Sequence, residues 1–248
     1  MPTSLFSILI LCSIFTSLLS WSDNLKENMQ EVLAGNLRSD AEKERDANRK
    51  PLETLEFFEF KQNQKVMELI PGGGWYTKIL APLLHENGQL LVAVGTGNVE
   101  KNLLNKKGFE KVVVPPVSID IKQEGRRYGF TELDLAAQDI DLVLTFRNLH
   151  NFTENSRKIM HAAVFNALRS GGVYGVVDHT RRHMQADYYE NWRRMDPVQM
   201  IKEIESAGFV FEDYATLHYH PDDTLEYEVG RKTVTGNTDR FTLKFRKP

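Results

Sequence analysis

The chain changes its hydrophobic pattern repeatedly between residues 65 and 248. Short runs of consecutive apolar residues, such as Leu142-Val143-Leu144, are typical of strands that are buried on both faces of a sheet. Longer segments between these runs carry apolar residues at helical spacing. Strands are predicted at residues 65–70, 89–94, 111–114, 140–146, 173–177, 209–218 and 240–245. Helices are predicted at residues 75–85, 98–107, 133–137, 155–168 and 198–207.

This alternation of strands and helices predicts an α/β fold with a mostly parallel sheet and helices on both faces. The last two predicted strands have no helix between them, and residues 233–239 contain the turn signal Gly236-Asn237. We therefore expect those two strands to be antiparallel. Residues 117–129 are expected to be irregular, with a small hairpin.

The N-terminal region has a pattern of its own. Residues 5–19 form an uncharged apolar run that is shorter than the roughly 20 residues of a membrane span. Ser20 and Ser22 stand three residues and one residue before a cleavage point at Asp23, which predicts a signal peptide over residues 1–22. No Lys or Arg precedes the run, so an uncleaved anchor and a core helix are the alternatives. Cleavage predicts an exported chain, periplasmic or secreted, without stable membrane association.

Two segments follow the predicted signal peptide. Residues 23–50 are polar and strongly charged, and they are expected to form an N-terminal helical extension. Pro51 is expected to open the next helix, and residues 51–248 form the predicted main domain. The only cysteine, Cys12, lies inside the predicted signal peptide, so disulfides and thiol catalysis are excluded for the mature chain.

The most informative stretch joins the first predicted strand to its helix. Pro71 is followed by Gly72-Gly73-Gly74, and helix-compatible sequence begins at Trp75. A turn usually needs one residue with positive φ, so three glycines indicate that a ligand approaches the main chain closely. Free N–H groups at a helix start favour an anionic or polar ligand. The spacing departs from that of a dinucleotide fingerprint, so we expect a nucleoside-type ligand, with a plain turn as the alternative.

Charge and composition narrow the range of partners. The 248 residues carry a net charge of −3, and 41% of them are hydrophobic. This composition supports a sizeable core and argues against nucleic acid as a partner. A small-molecule substrate is therefore expected. The sequence contains no pattern that fixes an oligomeric state.

Three stretches and the closing strand pair together resemble the class I S-adenosylmethionine (SAM)-dependent methyltransferases. The stretches are residues 68–74, 141–144 and 168–173. More narrowly, residues 71–77, 145–151 and 237–241 resemble a group of exported bacterial proteins usually described as predicted methyltransferases. The resemblance covers residues 51–248 and implies a Rossmann-like, seven-stranded sheet of order 3-2-1-4-5-7-6 with strand seven antiparallel. It also implies a SAM site at the switch point between strands one and four.

The resemblance implies which residues hold the cofactor. The expected contacts around the glycine turn are Glu68, Pro71, Gly72, Gly73, Gly74 and Tyr76. Family members end strand two with an acid that binds both ribose hydroxyls, whereas this chain has no carboxylate between Val94 and Asn98. Thr96 and Asn98 are the expected substitutes. Many family members also have Gly where this chain has Ile70.

Polar residues at the ends of two later strands are the candidate catalytic groups: Arg147, Asn148, His150, Asp178 and His179. The amide of Asn148 can orient an acceptor as donor and acceptor together, and His150 can be a base near neutral pH. Asp178-His179 resembles a base and its orienter. Adjacent strand residues face opposite sides, so only one of this pair is expected to reach the site.

Several of these residues have structural alternatives. Glu68 can instead cap the glycine turn, Tyr76 can pack in the core, and the polar loop after strand four can serve to cap a helix. Arg45 and Arg49 lie on one helix face, where they either hold an anionic substrate or form a solvated charged surface, and the solvated surface is expected. The scattered histidines match no metal-site spacing, so no metal site is predicted.

The preferred function is SAM-dependent methyl transfer to a small-molecule acceptor. Such a transfer mainly requires that nucleophile and methyl carbon be held close and collinear. The alternative is a non-catalytic nucleoside- or ligand-binding protein that retains the fold. A nicotinamide-dependent oxidoreductase is disfavoured by the glycine spacing and by the closing antiparallel strands.

Overall fold

A computed structural model describes residues 25–248, and the predicted signal peptide over residues 1–22 lies outside the described residues. The helices are α1 (residues 25–34), α2 (Asp40–Lys43), α3 (Asp46–Arg49), α4 (Pro51–Phe57), α5 (Thr77–Leu84), α6 (Gly97–Asn102), α7 (Glu154–Ala167) and α8 (Pro197–Glu205). The strands are β1 (Lys65–Leu69), β2 (Gln89–Ala93), β3 (Ser118–Ile119), β4 (Lys122–Glu124), β5 (Arg127–Gly129), β6 (Leu133–Asp134), β7 (Ile140–Phe146), β8 (Leu168–His179), β9 (Val210–Ala215) and β10 (Arg240–Arg246). Short 3-10 turns occur at Leu149–Asn151 and Tyr189–Asn191.

A six-stranded sheet of order β2-β1-β7-β8-β10-β9 forms the centre of the fold. β1 pairs in parallel with both β2 and β7, and β7 pairs in parallel with β8. β10 runs antiparallel to β8 and to β9. The mostly parallel α/β sheet and the antiparallel closing pair are therefore confirmed. The switch point of this sheet lies between β1 and β7, where the chain leaves for opposite edges.

The seven-stranded order implied by the resemblance is not confirmed, because the segment predicted as strand three is reduced to one bridge. The Val113 N–H donates to the carbonyl of Leu90, and the carbonyl of Val113 accepts from the Val92 N–H, each over 2.9 Å. Pro115 and Pro116 follow at once, and a proline has no N–H with which to continue a ladder.

Residues 133–137 do not form the expected helix. Leu133–Asp134 is a short strand that pairs antiparallel with β3. The Asp134 carboxylate accepts a hydrogen bond from the Ala136 N–H over 2.8 Å, and Ala136 has φ of +49°. An Asx-type turn of this kind competes with helix formation. The small hairpin expected within residues 117–129 is confirmed by the pairing of β4 with β5.

Two further expectations differ from the structure, one in the N-terminal extension and one in the connection between β9 and β10. Residues 25–50, the described part of the extension, form three helical segments rather than one helix, and α2 begins with a capping box made by Ser39 and Glu42. The connection between β9 and β10 spans residues 216–239, so the turn expected at residues 233–239 is only the last part of a long irregular segment.

Apolar layers cover both faces of the sheet. Met67 and Val143 belong to the layer that contains α7 and α8, whereas Val66 and Leu144 belong to the layer that contains α4 and α5. Burial on both sides explains why the parallel strands are continuously hydrophobic rather than alternating. Within residues 25–248, no helix has the length and hydrophobicity that crossing a membrane requires.

Candidate functional site

The carboxyl ends of three neighbouring strands share an unusual backbone conformation. The residues directly after β1, β2 and β7 are Ile70, Val94 and Arg147, with φ of +55°, +64° and +62°. Non-glycine residues in this left-handed region are uncommon, and β-branched ones are true outliers. Such strain concentrates at binding and catalytic sites because the surrounding structure must hold it in place.

The glycine turn lies at the same edge of the sheet. A Cβ atom added to Gly72 or Gly73 would meet nothing within 4 Å, so the main chain there faces open space. A Cβ on Gly74 would lie 2.4 Å from Cδ1 of Leu103. Gly74 is therefore required by packing against the segment after α6, whereas Gly72 and Gly73 leave room for a ligand.

A cavity of about 170 Å³ opens between the ends of β1 and β7. Its described lining comprises Arg49, Glu68, Ile70, Pro71, Gly72, Gly73, Trp75, Tyr76, Phe146, Arg147 and Asn148. The rings of Tyr76 and Phe146 in this lining stack 3.6 Å apart, and Tyr76 is only 4% exposed. Ligand pockets usually measure about 300–1,000 Å³, so this cavity accepts only part of a nucleoside unless the ligand also extends over the open turn.

Two larger cavities lie elsewhere among the described residues. One, of about 460 Å³, lies between α1 and the end of α5. The other, of about 370 Å³, lies beside the β4–β5 hairpin, and Asp187 there pairs with Arg127 and Arg181. Neither contains the glycine turn or the polar ends of β1 and β7, which are the features that point to chemistry.

Glu68 is buried at the end of β1 and borders the cavity. Its Oε2 atom accepts a hydrogen bond of 2.6 Å from the hydroxyl of Thr77, the first residue of α5. Burial raises the pKa of Glu68 to about 8, against the opposing influences of Thr77 and the Arg49 charge. The carboxyl group therefore ties strand to helix and is largely protonated at neutral pH. It bonds to the Thr77 side chain rather than to amides of the glycine turn.

Asn148 joins the two strand ends. Its side-chain N–H groups donate to the carbonyls of Leu69 and Ile70 over 3.3 and 3.1 Å. The N–H groups of Asn148, which were expected to donate to an acceptor, therefore bond within the protein instead. Its Oδ1 atom remains for a ligand, because the residue is half-buried and borders the cavity.

His150, Asp178 and His179 form one buried cluster. The Asp178 carboxylate contacts Nδ1 of His150 at 2.5 Å and accepts from the main-chain N–H groups of His150 and His179. The His179 ring lies 5.3 Å from the His150 ring, and its Nδ1 contacts the Thr238 hydroxyl at 2.9 Å. Asp178 therefore orients His150 across two strands. One of Asp178 and His179 was expected to reach the site, but neither is in the described lining of the cavity. Burial, together with the nearby His150, holds the pKa of His179 well below its usual value.

This cluster also has the chemistry of a metal site, although none was predicted. One donor atom from each of the three residues lies within 4.8 Å of the others, and imidazole with carboxylate is a common zinc donor set. However, both carboxylate oxygens of Asp178 already accept hydrogen bonds from the protein. The cluster lies behind the described lining of the 170 Å³ cavity, and only Arg147 and Asn148 of the candidate catalytic residues border it.

The hydroxyl of Thr96, which follows β2, pairs with a carboxylate of α6 that the sequence analysis did not identify. The Thr96 hydroxyl donates to Oε1 of Glu100 over 2.5 Å, across one turn of α6. Asn98 is exposed, and its carbonyl accepts from the Asn102 side chain. The i,i+4 spacing of Thr96 and Glu100 is the sequence signal that could have revealed this pair.

Arg49 is not part of a solvated surface, contrary to expectation. Its guanidinium lies over the Trp75 ring at 4.3 Å and borders the cavity. Arg147 enters the same cavity from the end of β7. Asp46, which lies between Arg45 and Arg49 in the sequence, forms a bidentate pair with Arg38.

Solved structures share this fold at low sequence identity. A SAM-dependent methyltransferase from Aquifex aeolicus matches with a TM-score of 0.55 at 13% identity, over 82% of this chain and 93% of that one. The cyclase SpnF matches with a TM-score of 0.53 at 14% identity, over 81% and 80%. Human N-acetylserotonin methyltransferase, solved in complex with SAM, matches with a TM-score of 0.52 at 14% identity, over 90% and 56%. No protein-family profile matches the chain, and no curated protein sequence matches it.

These likenesses establish the fold alone. The described chain shares its fold with these solved proteins, and its glycine turn lies at the switch point of the sheet. SpnF is described as a cyclase, so the fold does not fix the reaction.

Proposed function

We propose that this protein is a SAM-dependent methyltransferase that acts on a small-molecule acceptor. The observation that carries the proposal is the open main chain at Gly72 and Gly73, next to the buried Glu68, at the switch point of the sheet. A Cβ-free cradle at this edge is what close approach of a nucleoside requires. The solved neighbours with the same fold include methyltransferases, one of them in complex with SAM.

Bound SAM supplies a methyl group on a sulfonium, which is electrophilic without a metal. In the proposed site, Gly72 and Gly73 admit the ligand, and Glu68 presents a largely neutral carboxyl group to it. Thr96 and Glu100 offer a hydroxyl and a carboxylate for ribose hydroxyls at the end of β2. Asn148 presents its Oδ1 atom to the acceptor, while its N–H groups fix the strand ends.

The His150–Asp178 pair extends the proposal to acceptors that start protonated. Asp178 orients the His150 ring, and such a pair can take a proton if the acceptor reaches it. His150 is only 4% exposed, so this role requires the loop after β7 to open. An acceptor that is already deprotonated needs only proximity and alignment.

Neighbouring glycines provide a matched test. Gly73→Val places a side chain in open space, so it should abolish binding of SAM and S-adenosylhomocysteine while leaving the unfolding midpoint unchanged. Gly74→Val collides with Leu103, so it should lower stability. Isothermal titration calorimetry gives the affinities, and thermal unfolding gives the midpoints. If the wild-type chain binds neither sulfur ligand, or if Gly73→Val binds normally, the proposal is rejected.

The alternative of a non-catalytic binding protein is favoured by one observation. Neither His150 nor Asp178, the candidate base and its orienter, is in the described lining of the cavity. Chromatographic detection of S-adenosylhomocysteine formed from SAM, in the presence of small acceptors, distinguishes the two functions. Binding without any turnover across acceptor classes would support the binding protein.

A further inference from the structure

We infer that Arg45, Arg49, Arg147 and Arg240 form a binding site for a small oxyanion, a phosphate or carboxylate group, beside the glycine turn. Resting on the proposed function, we further assign this group to the methyl acceptor. The inference takes up the anionic-substrate alternative for Arg45 and Arg49 and adds two arginines that come from distant parts of the sequence.

The four side chains converge from three parts of the fold. Arg45 directly precedes α3, and Arg49 is its last residue. Arg147 follows β7, and Arg240 is the first residue of β10. Arg49 and Arg147 border the same cavity. Arg240 joins them because its Nη1 group donates to the carbonyl of Asn48 over 3.1 Å.

None of the four guanidiniums has a carboxylate within ion-pair distance among residues 25–248. The Nε–H groups of Arg49 and Arg240 are buried without a hydrogen-bond partner in that part of the chain. Burial, together with the charges of Arg147, Arg45 and Arg240, lowers the pKa of Arg49 to about 9. The pKa of Arg240 falls to about 10 for the same reasons. A cluster of partly buried, mutually repelling cations is destabilising unless an anion completes it.

The acidic groups nearby do not neutralise this cluster. Glu68 is largely protonated, and burial raises the pKa of Tyr76 to about 12, so its hydroxyl is neutral. Asp46 pairs with Arg38. The charges of Asp178 and Asp239 act on Arg147 and Arg240 from a distance and raise their pKa values slightly, but neither carboxylate forms an ion pair with them within residues 25–248.

The charge of SAM explains why the cofactor alone is a poor occupant of this cluster. SAM carries a sulfonium, an ammonium and one carboxylate, so its net charge is positive. Four arginines exceed what one carboxylate needs, and they repel the remaining charge. A phosphate or carboxylate group of the acceptor supplies the negative charge that the arginines still lack. The planar fork of arginine binds such oxyanions in bidentate fashion.

Inorganic phosphate and succinate are the probes for the purified full chain. We expect phosphate to bind without SAM, and Arg49→Gln to weaken that binding by about tenfold or more. Arg126→Gln is the matched control, because Arg126 is exposed, lies against the Tyr189 ring and borders the separate cavity of about 370 Å³ beside the β4–β5 hairpin. It should leave phosphate affinity unchanged. In phosphate-free buffer, Arg49→Gln should raise the unfolding midpoint, whereas replacing an arginine with only a structural role would lower it.

The coupling between phosphate and SAM tests the assignment to the acceptor. An anion on the arginines should tighten SAM binding, and SAM should tighten phosphate binding by the same factor. Phosphate that weakens SAM binding would mean that the arginines hold the cofactor's own carboxylate, which overturns the inference. Equal phosphate affinity in the wild type and Arg49→Gln would also overturn it. Phosphate binding that depends on Arg49 in a chain that binds no SAM would support the oxyanion site and reject only the proposed function. Preference for succinate over phosphate would identify a carboxylate acceptor.

Discussion

At the scale of single residues, the site depends on groups whose surroundings change their charge. Glu68 is held neutral by burial, whereas Arg49 is kept near other cations without a counter-ion. Both arrangements lower stability at neutral pH, and neither is needed to build the sheet. Residues of this kind are expected where a protein retains function at the expense of stability.

Glu68→Gln should make the protein more stable at alkaline pH. The folded-state pKa of about 8 lies above the ordinary value of 4.5, so the folded chain holds this proton when the unfolded chain has lost it. The wild type should therefore lose stability from about pH 4.5 to pH 8, and glutamine should not. Urea unfolding should show similar free energies at pH 4.5 and an advantage of roughly 2–5 kcal/mol for the variant at pH 9.

The control for this measurement is Glu154→Gln, which makes the same chemical change at an exposed position of α7. That variant should show no comparable gain at pH 9. A difference between Glu68→Gln and the wild type that stays constant across pH would contradict the assigned protonation of Glu68.

At the scale of secondary-structure elements, the ends of β1, β2 and β7 carry the strain. Each strand is followed by a non-glycine residue in the left-handed region, and the residue after β1 is Ile70. Ile70 is kept in place because its N–H donates to the Ala93 carbonyl over 2.9 Å, and its own carbonyl accepts from Asn148. These hydrogen bonds, rather than the intrinsic backbone preference of isoleucine, therefore hold Ile70 in the left-handed conformation beside the glycine turn.

Ile70→Gly should therefore be tolerated far better than a buried strand residue changed to glycine. Strain of roughly 1–3 kcal/mol is relieved, which offsets the lost apolar contact, so the free energy of unfolding should change by about 1 kcal/mol or less. Val66 is the second residue of β1 and is fully buried. Val66→Gly should therefore lower the free energy of unfolding by about 3 kcal/mol or more. Equal losses in urea unfolding of the two variants would show that Ile70 is not strained.

At the scale of the whole molecule, hydrogen bonds join the N-terminal extension to the connection between β9 and β10. His218, in the connection between β9 and β10, contacts the Arg49 carbonyl through its Nε2 atom at 3.0 Å and the Thr242 hydroxyl through its Nδ1 atom. Asn48 donates to the Gly236 carbonyl. The N-terminal extension and this connection therefore complete the arginine cluster together.

Arg194 anchors the same connection, so its loss should destabilise the fold. The fully buried guanidinium makes two bonds to Asp223, at 2.9 and 3.0 Å, and one of 2.7 Å to the Tyr227 carbonyl. Arg194→Met leaves the Asp223 carboxylate buried without its partner, which should cost about 3–5 kcal/mol in urea unfolding. Arg169→Met, which removes an exposed pair with Asp141, should cost about 1 kcal/mol or less. Similar losses for both variants would contradict the anchoring role.

The sequence by itself determined the sheet, because burial on both faces leaves a continuous apolar signal in strands such as β7, whose bounds it predicted without error. It also located the glycine turn and the polar ends of β7 and β8, since these features are local. It did not predict the loss of strand three or the short strand β6, because turn chemistry at Pro115 and Asp134 overrode the apolar pattern.

Only the tertiary structure decided which polar groups meet. His150 and Asp178 lie on different strands, and Arg49 and Arg240 come from opposite ends of the chain. No periodicity encodes such distances. They arise when crossover connections bring strand ends to one edge of the sheet, and burial there sets the charge that each side chain carries.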